Sequence, residues 1–223
     1  MNKKIIFNLI AKIFSSLICT GLLLFVSAGT IHYTNGWIFI LLLFIPMILT
    51  AIFLLLKKPA LLEKRLNSKE IEPEQKRIVI YSSLIFICGF AMAGLDFRFK
   101  ITNLPIIFTI FSSIIFISAY VMFIEVIREN EFISRTVEIQ ENQKVIDTGL
   151  YGIIRHPMYT ASIILFLATP IILGSLGSFL IFLIYPLIIS RRIKNEEKVL
   201  EQNLPDYIEY TQRVKYRIIP FIW

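Results

Sequence analysis

Residues 158–189 form a 32-residue apolar stretch, broken only near its middle by Gly174-Ser175-Leu176-Gly177-Ser178. One bilayer crossing takes about 20 mostly apolar residues. The stretch is therefore too long for one span and fits a tight hairpin of two, each a little short. Composition extends the argument to the whole chain. Of 223 residues, 56% are hydrophobic and 17% charged, against about 45–50% and about 25% in an ordinary soluble domain. A water-soluble fold of this size could not cover such a chain with polar surface. A soluble enzyme, a disordered chain and a disulfide scaffold are excluded, and an integral membrane protein is expected. Cys19 and Cys88 both sit in apolar runs, without a CxxC or Cys/His cluster, so neither a disulfide framework nor a metal site is expected.

Four further spans are predicted at 13–31, 37–56, 78–95 and 104–127, with Lys12 and residues 3–10 as an interfacial lead-in. The first run has the length of a span and no convincing cleavage site, so no signal peptide is expected. The fold class is all-α: a polytopic membrane helix bundle of about six transmembrane helices. Lys and Arg set the orientation. In a six-span chain, 21 of the 23 basic residues fall on one side, and only Arg98 and Lys100 on the other. Both termini are thus expected in the cytoplasm. The net charge of +7 reads as contact with anionic headgroups of the bilayer, not as nucleic-acid binding.

The connections on the sparsely charged side are too short to hold a site. On the other side, loop 57–77 is mostly Lys, Glu and Arg and reads as a solvated, lipid-touching link. Segments 128–157 and 190–223 flank the hairpin, so they must meet at one membrane face. In the first, the alternation around Val137 to Ile146, with Asn142 in the middle, suggests a short extended pair or a turn. Gly149 and Gly152 permit positive φ or close backbone approach. Pro157 suits the first turn of the following helix. Arg155 and His156 would then sit just before a helix N-terminus, where a bound anion is favoured. In the second segment, Arg192 and Glu196 lie four apart on one helical face, and Pro205 is expected to start a short helix carrying Tyr207 and Tyr210. The terminal Ile-Ile-Pro-Phe-Ile-Trp reads as an apolar anchor.

Singly, each group has a plain reading: a headgroup-contacting histidine, a solvated Glu196-Glu197 face, tyrosines of the aromatic belt. Their confinement to two segments that meet argues for a pocket. Neither a GxGxxG after a strand nor a GxxxxGK[ST] is present. Arg, His, a Glu pair and Tyr suit a zwitterionic, ribose-bearing cofactor.

In order, the chain carries Gly149-x-Tyr151-x-x-x-Arg155-His156-Pro157-x-Tyr159, the split hairpin, Arg192-x-x-x-Glu196-Glu197-x-x-Leu200, Tyr207-x-x-Tyr210 and Ile219-Pro220-Phe221-Ile222. From Arg128 to Trp223 this resembles the isoprenylcysteine carboxyl methyltransferase family of integral membrane enzymes. The resemblance implies S-adenosylmethionine as cofactor and a hydrophobic or lipidated methyl acceptor. It implies that Tyr151, His156, Pro157, Tyr159, Glu196 and Glu197 line the cofactor pocket. Arg155 and Arg192 would lie where cofactor and substrate meet, with Asn130 a further candidate there. Residues 1–127 would be a four-helix membrane region, and 128–223 the catalytic region. RHPxY alone is less specific, since phospholipid N-methyltransferases and some membrane sterol reductases have related C-terminal halves. A phospholipid, thiol or amine methyltransferase, an NADPH-dependent reductase and a non-enzymatic lipid-binding protein are the alternatives.

Overall fold

A computed structural model describes residues 3–66, 73–134, 136 and 140–223. Among them the chain is helical, without a strand: α1 Lys3–Ala28, α2 Thr34–Lys57, α3 Pro59–Leu66, α4 Pro73–Phe99, α5 Ile106–Glu129, a 3-10 turn Gly149–Gly152, α6 Pro157–Ile172, α7 Leu176–Phe182, α8 Tyr185–Asn203 and α9 Tyr207–Arg213. The segments long and apolar enough to cross a bilayer are α1, α2, α4, α5 and the α7–α8 arm, Leu176–Asn203. The shorter, 16-residue α6 completes the hairpin. The chain is thus a multi-pass membrane helix bundle.

The helices have simple causes. Pro157 starts α6, where its missing N–H is no loss. Pro186 separates α7 from α8, because it cannot donate to the carbonyl one turn back. Gly94 lets α1 and α4 cross closely: a Cβ there would lie 2.6 Å from the Leu24 carbonyl oxygen. At this end of the bundle the Asp96 carboxylate is buried. It accepts from the Thr102 amide (2.6 Å), the Thr102 hydroxyl (2.7 Å) and the Ser175 hydroxyl (2.6 Å). Ser175 Oγ in turn accepts from the Ser178 amide at 3.0 Å, capping α7. Tyr33 Oη donates to the Leu173 carbonyl at 2.5 Å. The hairpin turn is therefore bound to α4 and to the start of α2.

Several expectations are corrected. Residues 3–10 are not a separate lead-in but the first turns of α1, since no helix breaker intervenes. Loop 57–77 is not simply a solvated link. Its α3 buries Leu61 and Leu62 against Leu54, Ile127, Ile133 and Tyr151, because two adjacent leucines among charges suffice to seat one short helix. The C-terminal helix begins at Tyr207, not at Pro205, after Asp206 takes a left-handed conformation. Around Asn142, which has positive φ, a turn joins the Gln143 amide to the Gln140 carbonyl. Val137, Glu138 and Ile139 of the suggested extended pair lie outside the described residues, as do Arg135 and Lys69.

Candidate active site

The groups singled out in the two polar segments converge at the end of the bundle opposite Asp96. The C-terminal end of α5 starts the construction. Asn130 Oδ1 accepts from the Phe132 amide at 2.9 Å and turns the chain, while Asn130 Nδ2 donates to Tyr151 Oη at 3.0 Å. The 3-10 turn holds Tyr151 in place. Its Gly149 has φ +51, and a Cβ there would strike the Glu129 carboxylate, which accepts from Thr148 Oγ1 at 2.8 Å. Gly152 allows the Asp147 carbonyl to approach.

Arg155 and His156 follow as an extended pair. Their amides donate to the carbonyls of Tyr216 (2.9 Å) and Arg217 (2.8 Å), which fastens the C-terminal tail across the start of α6. Thr160 Oγ1 adds a bond to the Ile218 carbonyl at 2.8 Å. The anion at this helix start comes from the chain itself. Glu197, only 3% exposed, has Oε1 at 3.2 Å from both Arg155 Nη1 and His156 Nε2, and its Oε2 accepts from Arg217 Nε at 2.7 Å. A buried carboxylate needs such partners, since its desolvation is otherwise uncompensated.

One turn on, Tyr159 bridges α6 to α8. Its hydroxyl donates to Glu196 Oε2 at 2.5 Å and accepts from Arg192 Nε at 2.8 Å. Arg192 and Glu196 do share a face, and one phenol holds both. Tyr210 Oη donates to the Tyr151 carbonyl at 2.8 Å, so α9 closes over the 3-10 turn.

These groups surround a cavity of about 900 Å³, counted out to its open mouth. Asn130, Tyr151, Arg155, His156, Tyr159, Arg192 and Glu196 line it; Pro157 and Glu197 stand behind that lining. Phe132, Val145, Met158, Leu200 and Tyr207 add to the walls, and Ser134, Thr136, Gln143, Lys144 and Ile146 line the side toward the turn at Asn142. Tyr207 could have been marked from its spacing to Tyr210, but the apolar walls carry no sequence signal beyond hydrophobicity. Among the described residues, two buried polar atoms of the lining lack a hydrogen-bond partner: Tyr207 Oη and Arg155 Nε. Burial pushes the phenols of Tyr151, Tyr207 and Tyr210 above the usual range, and for Tyr207 the charges of Glu197 and Glu196 add to it. All three therefore stay protonated at neutral pH. Phe132, Lys144 and Ile146 also line a second, more open cavity beside α3, with Lys57, Lys58 and Lys64.

The arrangement is a mixed chamber of apolar walls, two guanidinium groups, an imidazole, a carboxylate and phenol donors. Residues 109–202 match the sequence model of the isoprenylcysteine carboxyl methyltransferase (ICMT) family. Over this stretch the chain is similar to that family. The stretch contains Asn130, Tyr151, Arg155, His156, Pro157, Tyr159, Arg192, Glu196 and Glu197, and ends before Tyr207, Tyr210 and Arg217. A 91-residue stretch is 29% identical to the Delta(14)-sterol reductase of Mus musculus, covering 40% of this chain. The chain spans only about a fifth of the length of that curated relative, 22%. The matched stretch begins within α5 and carries most of the chamber lining, and the C-terminal tail supplies the rest.

Proposed function

We infer that this protein is an integral membrane methyltransferase that uses S-adenosylmethionine and methylates a hydrophobic acceptor, of the isoprenylated cysteine carboxylate type. The observation that carries this reading is the polar chamber, most of it within the stretch that matches the ICMT family, with two buried polar atoms that lack partners among the described residues. An unpaired buried donor is costly, and a polar ligand relieves that cost. Apolar walls beside Arg, Glu and Tyr fit a cofactor with an aromatic base, ribose hydroxyls and a charged amino-acid end.

Tyr151, His156, Tyr159 and Glu196 hold the cofactor in this reading, and Tyr207 joins them. Pro157 and Glu197 set the position of Arg155 and His156. Bound there, S-adenosylmethionine supplies an electrophilic methyl group on a sulfonium. Arg155 and Arg192 orient the acceptor anion, with Asn130 near the same corner through Tyr151. Methyl transfer to an anion cancels charge, so the protein's part is in-line positioning and exclusion of water. A carboxylate acceptor is already ionised at neutral pH, so no general base is required. Both termini face the cytoplasm, as the basic residues indicate. The cofactor enters from water and the acceptor from the bilayer.

The similarity to a Delta(14)-sterol reductase favours a second reading, an NADPH-dependent membrane reductase. Calorimetry of the detergent-solubilised protein with S-adenosylmethionine, its demethylated product and NADPH separates the two. The methyltransferase reading expects heat and thermal stabilisation from the first two. Stabilisation by NADPH alone overturns it. Radiolabelled methyl transfer to small prenyl thioether carboxylates and to total lipid then identifies the acceptor class.

A further inference from the structure

The face of α8 turned away from the chamber forms a groove with α4, lined by Glu74, Arg77, Ile78 and Tyr81 on one side and Ile188, Arg191, Lys194, Asn195 and Lys198 on the other. Four cations against one carboxylate meet in a cavity of about 870 Å³, counted out to its open mouth. Among the described residues, none of Arg77, Arg191, Lys194 and Lys198 has an ion-pair partner. Asn195 Nδ2 is buried in the same wall and also lacks a hydrogen-bond partner. Like charges gather at such spacing only at a cost in mutual repulsion, and an anion removes it.

The surroundings indicate which anion. Toward the hairpin turn, the same two helices expose Tyr81 and Leu84 on α4 and Ile184 and Leu187 beside them. Leu84 lies one turn beyond Tyr81 on α4, and Ile184 and Leu187 lie one turn before Ile188 and Arg191, so helical spacing places them on the groove side. A charged pocket thus opens onto a lipid-facing track, with a tyrosine at the boundary, the depth at which aromatic side chains favour the membrane interface. We propose that the α4–α8 groove binds the headgroup of an anionic phospholipid, whose phosphate meets Arg77, Arg191 and Lys198 while an acyl chain follows Leu84 and Leu187. Basic pockets between transmembrane helices suit such headgroups. The site is separate from the chamber: Arg191 faces the groove and Arg192 the chamber. It holds whether or not the protein transfers methyl groups.

The test is native mass spectrometry of the full chain in non-ionic detergent, titrated with dioleoyl phosphatidylglycerol, dioleoyl phosphatidylcholine or sn-glycerol 1-phosphate. Phosphatidylglycerol should be retained at least about ten-fold better than phosphatidylcholine. Arg191→Gln/Lys198→Gln should weaken that retention about five-fold per charge removed. The double variant Lys76→Gln/Lys215→Gln, with two exposed cations outside the groove, should leave it within about two-fold. Ile188→Trp keeps every charge but fills the groove, and should also reduce retention. The proposal is overturned if the two lipids bind alike, or if groove and control variants lose equally, which means diffuse charge alone. It is also overturned if glycerol phosphate displaces the lipid at matched concentration, which makes a soluble phosphate the ligand.

Discussion

Two side chains of the chamber and one behind its lining act in distinguishable ways. Glu197 is a hub for Arg155, His156 and Arg217. Glu197→Ala leaves buried cationic groups unpaired and should cost about 3 kcal/mol, more than Glu197→Gln, as read from thermal melting of the two variants. Tyr207 is the opposite case, since its hydroxyl has no partner among the described residues. Tyr207→Phe should leave the melting temperature near that of the parent while weakening S-adenosylmethionine binding about five-fold in calorimetry. A large loss of stability instead would mean that the hydroxyl serves the fold. Arg192→Ala should raise the acceptor KM or lower kcat with cofactor affinity nearly unchanged. Loss of cofactor binding with acceptor binding intact would reverse that assignment. Arg155, His156, Arg192 and the Glu pair were legible because charged groups are rare beside apolar runs. The division of labour within the pair was not: Glu196 reaches the chamber through Tyr159 while Glu197 turns to Arg217, and their α8 neighbours look alike in sequence.

At the scale of elements, spans were readable because a bilayer demands long apolar runs, and the hairpin followed from its Gly/Ser break. α3 was not readable. Eight residues rich in Lys, Arg and Glu resemble a surface linker, and only the packing of Leu61 and Leu62 beneath Tyr151 gives the helix its place. Leu62→Ala should therefore destabilise the protein by about 2–5 kcal/mol in a reversible denaturation series. A solvated linker would show about 0.5 kcal/mol or less. The late start of α9 escaped notice for a similar reason. Pro205 suits a first helical turn, but Asp206 adopts φ +64, and the helix can begin only beyond it.

For the whole molecule, five long apolar segments and the shorter α6 put Lys3 and Trp223 at one end of the bundle, the end that holds the chamber. A reporter active only in the cytoplasm should therefore work when fused after Trp223 and fail when inserted at Lys100, where the chain turns at the other end. Equal activity at both sites would contradict the basic-residue asymmetry. The division into 1–127 and 128–223 follows motif content; packing crosses it, since α5 lies along α6 and α4 along α7.

The Asp96–Thr102–Ser175 cluster also has a mechanical consequence. It clamps the hairpin at its turn, as a beam is clamped at one end. Deflection of such a beam is least at the clamp and greatest at the free tip. Here the far end is the chamber-side half of α8 with α9, held to α6 and the 3-10 turn by side-chain bonds, and the break before Pro186 lies between it and the clamp. Widening the chamber on the α8–α9 side therefore requires breaking the Arg192–Tyr159–Glu196 bridge and the Tyr210–Tyr151 bond, whereas the other end of the hairpin is held by the Asp96 cluster.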